Sequence, residues 1–183
     1  MINNYCSTKS KETGMTLVEA LITVAIVGIL LATSFLAYRP RGQELALQRS
    51  AFKIASDIEI VREMAMSARK NVGGEIPIGG YGIYFDIANP SSYILFADSD
   101  ASKNRKSDGS EDIKTLDIED GIVLSILSPS NPVNITFVSP SPDVFLQGGA
   151  TVGQIDITVA IQADISKTKI ISINKAGLIS TDQ

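Results

Sequence analysis

The chain has 183 residues, 44% of them hydrophobic, with 16 basic and 20 acidic side chains and a formal net charge of −4. A single cysteine and no histidine remove histidine-based triads, Cys–His nucleophile pairs and the usual zinc ligand sets. No internal disulfide can form either, so packing alone has to hold the fold.

The first 14 residues, MINNYCSTKSKETG, are polar and carry Lys9 and Lys11. Cys6 lies among them, without the preceding apolar stretch that a lipoprotein signal requires. From Met15 to Tyr38 the chain runs through 24 residues in which Glu19 is the only charge. At roughly 1.5 Å per residue this makes about 36 Å of helix, enough to cross a hydrocarbon core of roughly 30 Å. A secretory signal would place a small-residue cleavage site after a shorter apolar region. Here Gly14 stands before the run, and a cut there keeps the helix. Charge alone does not orient it, because Lys9 and Lys11 precede the run while Arg39 and Arg41 follow it. Thr16-Leu17-Val18-Glu19 also fits a capping box, with Thr16 as N-cap and Glu19 reaching back to the backbone.

Beyond this run Leu47, Ala51, Ile54, Ile58, Val61, Ala65 and Ala68 recur in alternating steps of four and three, which predicts an amphipathic helix packed on a sheet. Arg49, Lys53, Asp57, Arg62 and Glu63 fall largely off that stripe. Pro40 and Gly42 predict a kink between the two halves, and Asn71 with Gly73-Gly74 predicts the stop, giving a bent helix of about 55 residues.

From Gly79 the pattern turns to β-type runs: Tyr81 to Ile87, Tyr93 to Ala97, Ile113 to Ile118, Ile122 to Leu127, Val133 to Val138, Ile155 to Ile161 and Lys169 to Asn174. Asn89-Pro90-Ser91-Ser92 reads as a hairpin connection and Glu119-Asp120-Gly121 as another, so antiparallel pairing is expected. Ile155-Asp156-Ile157-Thr158-Val159 alternates as a strand with one buried and one wet face. The fold class is α+β.

The Asp98 to Asp112 loop, DSDASKNRKSDGSED, is the one place where oxygen ligands concentrate. An EF-hand register starting at Asp98 fails, since Lys103 fills the glycine position and Gly109 the final glutamate position. The loop reads as solvated chain of mixed charge, and no metal or cofactor is expected. Lys103, Arg105 and Lys106 form the only basic cluster of the head, with acids around it. From Asn71 to Gln183 there are 7 basic residues against 14 acidic ones, a balance of −7 that opposes phosphate binding. Gly148-Gly149 and Gly153 lack the Lys-Ser/Thr element of a phosphate loop. An anchored carboxylate hydrolase is the remaining enzymatic reading, and without His or a mature-chain Cys the expectation is no enzyme.

The short basic leader, then Gly14-Met15-Thr16-Leu17-Val18-Glu19, then an apolar helix, resembles the prepilin signature of type IV pilins and type II secretion pseudopilins. The resemblance implies that a prepilin peptidase of the inner membrane cuts between Gly14 and Met15 and methylates the Met15 amine. It further implies that Glu19 meets the N-terminal amine of a neighbouring subunit during assembly. In the head, Tyr81 to Asp86 followed by Tyr93 to Asp100 looks like the paired strands and acidic loop of the FimT/GspH group of minor pilins and pseudopilins, and Ile173 to Ile179 is similar to that group's final strand and glycine turn.

The expected organisation is a leader over 1–14, a transmembrane helix over 15–38, its amphipathic continuation over 39–72 and a β-rich head over 73–183, a pilin-like helix on antiparallel sheet. The implied function is that of a minor pilin or pseudopilin in a type IV pilus-like or type II secretion filament. Its partners would be other pilins, the prepilin peptidase and inner-membrane lipid, with the head on the periplasmic or external side. The alternative is an anchored recognition subunit for DNA, a surface or secreted cargo, and the charge balance disfavours DNA.

Overall fold

The computed structural model describes residues 14–71, 73–99, 107, 109, 111–138, 144–147 and 153–182. Lys9, Lys11 and Cys6 of the leader lie outside them, as do Lys103, Arg105, Lys106 and Gly148-Gly149. The chain divides into two compact units, Met1–Pro40 and Arg41–Gln183. Helix α1 is assigned over Leu17–Met66, 50 residues that include Pro40 and Gly42 without a break.

In the second unit the α1 stripe is what the four-three spacing predicts. Leu47, Ala51, Ile54, Ile58, Val61 and Ala65 are buried, and Ala68 is half-buried just past the helix end. The helix stops at Met66, five residues before the expected Asn71 signal. Ala68 takes φ +48°, its N–H bonds the Ala65 carbonyl at 3.0 Å, and the Arg69 N–H bonds the Met64 carbonyl at 3.1 Å. Those two bonds are a Schellman closure, which satisfies two orphan carbonyls with an alanine where glycine is usual.

Nine strands follow among the described residues: β1 Gly80–Phe85, β2 Ser92–Asp98, β3 Asp112–Asp117, β4 Ile122–Ser128, β5 Val133–Phe137, β6 Val144–Gln147, β7 Gln154–Ile161, β8 Asp164–Asn174 and β9 Ile179–Thr181. They form a five-stranded sheet in the order β3-β2-β1-β5-β6 and a four-stranded sheet in the order β4-β7-β8-β9. Every ladder is antiparallel, as the turn chemistry predicts.

The Asn89 to Ser92 segment does close a hairpin, joining β1 to β2. Glu119-Asp120-Gly121 does not. It carries the chain from β3 in one sheet to β4 in the other, turning on Gly121 at φ +82° and an Ile122 N–H to Glu119 carbonyl bond of 3.0 Å. A turn signal fixes local geometry but says nothing about which strand the next run pairs with.

Alternation sets the core. Tyr81, Ile83 and Phe85 of β1 and Val133, Ile135 and Phe137 of β5 are buried from one sheet, and Ile155, Ile157, Val159 and Ile161 of β7 from the other. They join the α1 stripe in a single hydrophobic cluster, and the Phe85 and Tyr93 rings stack at 5.2 Å. On the opposite face of β1, Gly82 leaves room for the Phe96 ring, which a Cβ at that position would strike.

The polar side chains flanking the stripe tie α1 to the sheets. Arg49 pairs with Glu119 at 2.5 Å, Lys53 Nζ donates to the Asp117 carbonyl at 2.6 Å, and Arg62 donates to the Gly177 carbonyl at 3.2 Å. Lys167 of β8 pairs with Glu44. Exposed pairs of this kind are screened by solvent, so they set alignment more than stability.

Candidate anchoring and processing site

Gly14, Met15 and Thr16 lie outside regular structure, immediately ahead of α1. The Thr16 carbonyl accepts the Ala20 N–H at 3.0 Å and its Oγ1 accepts the Glu19 N–H at 3.3 Å. Thr16 is therefore the N-cap, as the capping-box reading expects. Glu19, in the first turn, keeps an exposed side chain, a position where the positive end of the helix favours a carboxylate. A carboxylate here can only accept, and the chemistry that would satisfy it in a water-poor setting is an ammonium or another cationic donor.

Leu17–Ser34 has a mean hydropathy of 2.3 and no burial within the chain, and by length and composition it can cross a membrane. Leu17 is 77% and Val24 71% exposed, a degree of apolar exposure that water does not tolerate over such a length. Its hydroxyl groups are closed on the helix itself. Thr23 Oγ1 donates to the Ala20 carbonyl at 2.9 Å, Thr33 Oγ1 to the Leu30 carbonyl at 3.0 Å and Ser34 Oγ to the same carbonyl at 2.9 Å. A segment whose polar groups are all satisfied locally suits a lipid or helix-packed surrounding, and Glu19 is its one charged exception.

In the head, the described part of the 98–112 loop region bonds both to itself and to its surroundings, where the Ser107 N–H reaches Asn134 Oδ1 at 3.3 Å and Asn71 Nδ2 donates to Ser99 Oγ at 2.9 Å. Glu111 Oε1 accepts the Ser99 N–H at 2.8 Å, and Ser107 Oγ donates to Asp112 Oδ1 at 2.7 Å. Asp98 is fully buried. Among the described residues no group of three His, Cys, Asp or Glu side chains is placed to hold a metal. Tyr93, on β2, is strongly perturbed: burial, then its hydrogen bond to Asp57 and that group's charge, push its phenol far above the usual value near 10. This pairing, between residues 36 apart, had no sequence signal.

Residues 9–35 match the family model described as the prokaryotic N-terminal methylation motif. No curated protein matches the chain. Among solved structures it is similar to the type IV minor pilin FimU of Pseudomonas aeruginosa strain PAO1 in crystals of space groups P65 and P21. Both comparisons have 10% identity and cover 75% of this chain, with 93% and 88% of the FimU chains covered and TM-scores of 0.46 and 0.47. The 27 matched residues contain Gly14, Met15, Glu19 and the Leu17–Ser34 span, so the chain carries an N-terminal methylation motif that runs into the one helix, among the described residues, long and apolar enough to cross a membrane.

Proposed function

We propose that the protein is a structural subunit of a pilus-like filament, a minor pilin or pseudopilin, anchored by one helix in the inner membrane. The observation that carries this is the coincidence of the methylation motif over residues 9–35 with an apolar helix that finds no burial in its own chain. In this reading residues 1–14 are the leader and 15–38 the membrane helix, whose amphipathic continuation runs from residue 39 to Met66, and the head that follows faces the periplasm or the exterior. Prepilin peptidase cuts between Gly14 and Met15, and Met15 carries the methylated amine. Glu19 pairs with the terminal amine of a neighbouring subunit, where an otherwise unpaired charge in a water-poor filament gains a partner that offsets its desolvation.

The exposed, non-helical placement of Gly14 and Met15 supports the cut, since a protease needs an extended, accessible strand. The formal balance of −7 over residues 71–183 favours assembly over nucleic-acid recognition. Mass spectrometry of the mature N-terminus tests the reading: N-methylated Met15 is expected, whereas an intact leader in peptidase-positive cells or any other first residue contradicts it.

A further inference from the structure

The β7–β8 hairpin ends in a bulge. Its ladder passes from Ala160↔Thr168 to Ile161↔Asp164, which leaves Ile165, Ser166 and Lys167 out of the pairing. A bulge of this kind re-aims side chains away from the sheet. The polar groups around it are held locally: Asp164 Oδ1 accepts the Ser166 N–H at 3.2 Å and the Ser166 hydroxyl at 2.6 Å, and Lys167 pairs with Glu44 of α1. The Gln162 N–H bonds the Gly121 carbonyl at 2.8 Å, which ties the turn to the β3–β4 connection. Ile165 stands outside the core at 73% exposure, the most exposed large apolar side chain described in the second unit.

The Lys167–Glu44 pair fixes where this tip lies along the second half of α1. Glu44 is six residues beyond Tyr38, the end of the membrane helix in the reading above, and six residues reach at most about 22 Å even when fully extended. Ile165 is two residues from Lys167, and Leu45, beside Glu44, is 52% exposed. The other end of the head carries a matched contrast. Leu178 is 66% exposed and follows Gly177, whose carbonyl accepts from Arg62. Arg62 stands 18 residues beyond Glu44, about 27 Å of helix.

We infer that the β7–β8 tip rests on the membrane that α1 crosses, with Ile165 set into the boundary between headgroups and acyl chains before the subunit joins a filament. The inference rests on the anchored reading above. An apolar side chain gains by leaving water for that boundary, and a tip whose charges are already paired brings little desolvation cost with it. A single isoleucine would bind a membrane only weakly from solution. Here the anchor supplies a high effective concentration, because so short a tether keeps the tip near the surface it meets. The balance of −7 over residues 71–183 gives the head no attraction to anionic headgroups, so the contact is apolar and indifferent to salt.

The test is fluorescence of the full chain, with Cys6→Ser, reconstituted at low density in phosphatidylethanolamine–phosphatidylglycerol vesicles. A nitrobenzoxadiazole label is carried at Ile165→Cys or at Leu178→Cys. A nitroxide on the lipid just below the headgroup should quench the label at position 165 about threefold more than the label at 178, at low and high salt alike. With the label moved to Ala163→Cys, Ile165→Asp should cut the quenching about threefold, whereas Ile165→Leu keeps it. Ile165 lies outside the core, so neither substitution threatens the fold. Equal quenching at 165 and 178, quenching indifferent to Ile165→Asp, or quenching abolished by salt overturns the inference alone. Failure of the chain to float with the vesicles overturns the anchored reading and the inference with it.

Discussion

The Tyr93 hydroxyl donates to Asp57 Oδ2 at 2.5 Å, joining the start of β2 to the flank of α1. Tyr93 is 1% exposed and stacks on Phe85, so its ring belongs to the core while its oxygen answers a carboxylate beside the stripe. Packing and polar satisfaction thus converge on one side chain, which fixes the register of helix against sheet.

Tyr93→Phe should keep the ring packing and lose a charge-assisted bond, at a cost of about 2 kcal/mol. The pH dependence has a definite sign. The folded phenol ionises well above its unfolded value near 10, so folded protein holds the proton that unfolded chain releases. Stability should therefore be fully present below about pH 10 and fall as pH rises beyond it. Tyr81 and Tyr84 are shifted the same way, so denaturant midpoints of the variant should show a shallower alkaline decline, not a flat one.

Ile58 is fully buried at the centre of the α1 stripe. Ile58→Asp places an unpaired charge there and should cost about 4 kcal/mol or more, enough to unfold the second unit at ordinary temperature. Circular dichroism melting checks this, and an unchanged transition would put the stripe on a solvent face.

Much of this was legible in the sequence because its periodicities are strong. The stripe from Leu47 to Ala65 is buried as its spacing predicts, and seven strand runs appear, six of them with ends shifted by no more than two residues. The seventh, β8, begins at Asp164 instead of Lys169, since its leading half, Asp-Ile-Ser-Lys-Thr, leaves the core and is mostly exposed, with no apolar alternation to mark it. β6 and β9, with four and three residues, are too short to show a period. The helix stop was misplaced because Ala68 adopts a conformation that the sequence advertises only with glycine or asparagine. At the N-terminus Thr16 caps as its residue type predicts, whereas the Tyr93–Asp57 bond arises from pairing that local patterns do not encode.

Glu19→Leu makes the helix more apolar, so membrane insertion should be retained. In the proposed filament, loss of the carboxylate leaves a neighbouring terminal amine without its partner, and assembly should then fall by about tenfold or more. Membrane fractionation and filament shearing, run on the same cells, separate the two effects. Normal incorporation would reduce Glu19 to a residue of the helix cap.

The filament assignment is tested most directly by quantifying this protein in sheared surface or periplasmic filaments from cells with and without prepilin peptidase. The account predicts that the unchanged chain co-purifies with the filaments only when the peptidase is present, in a form starting at Met15. Protein that stays wholly in the membrane fraction in both strains, while filaments form, would contradict it.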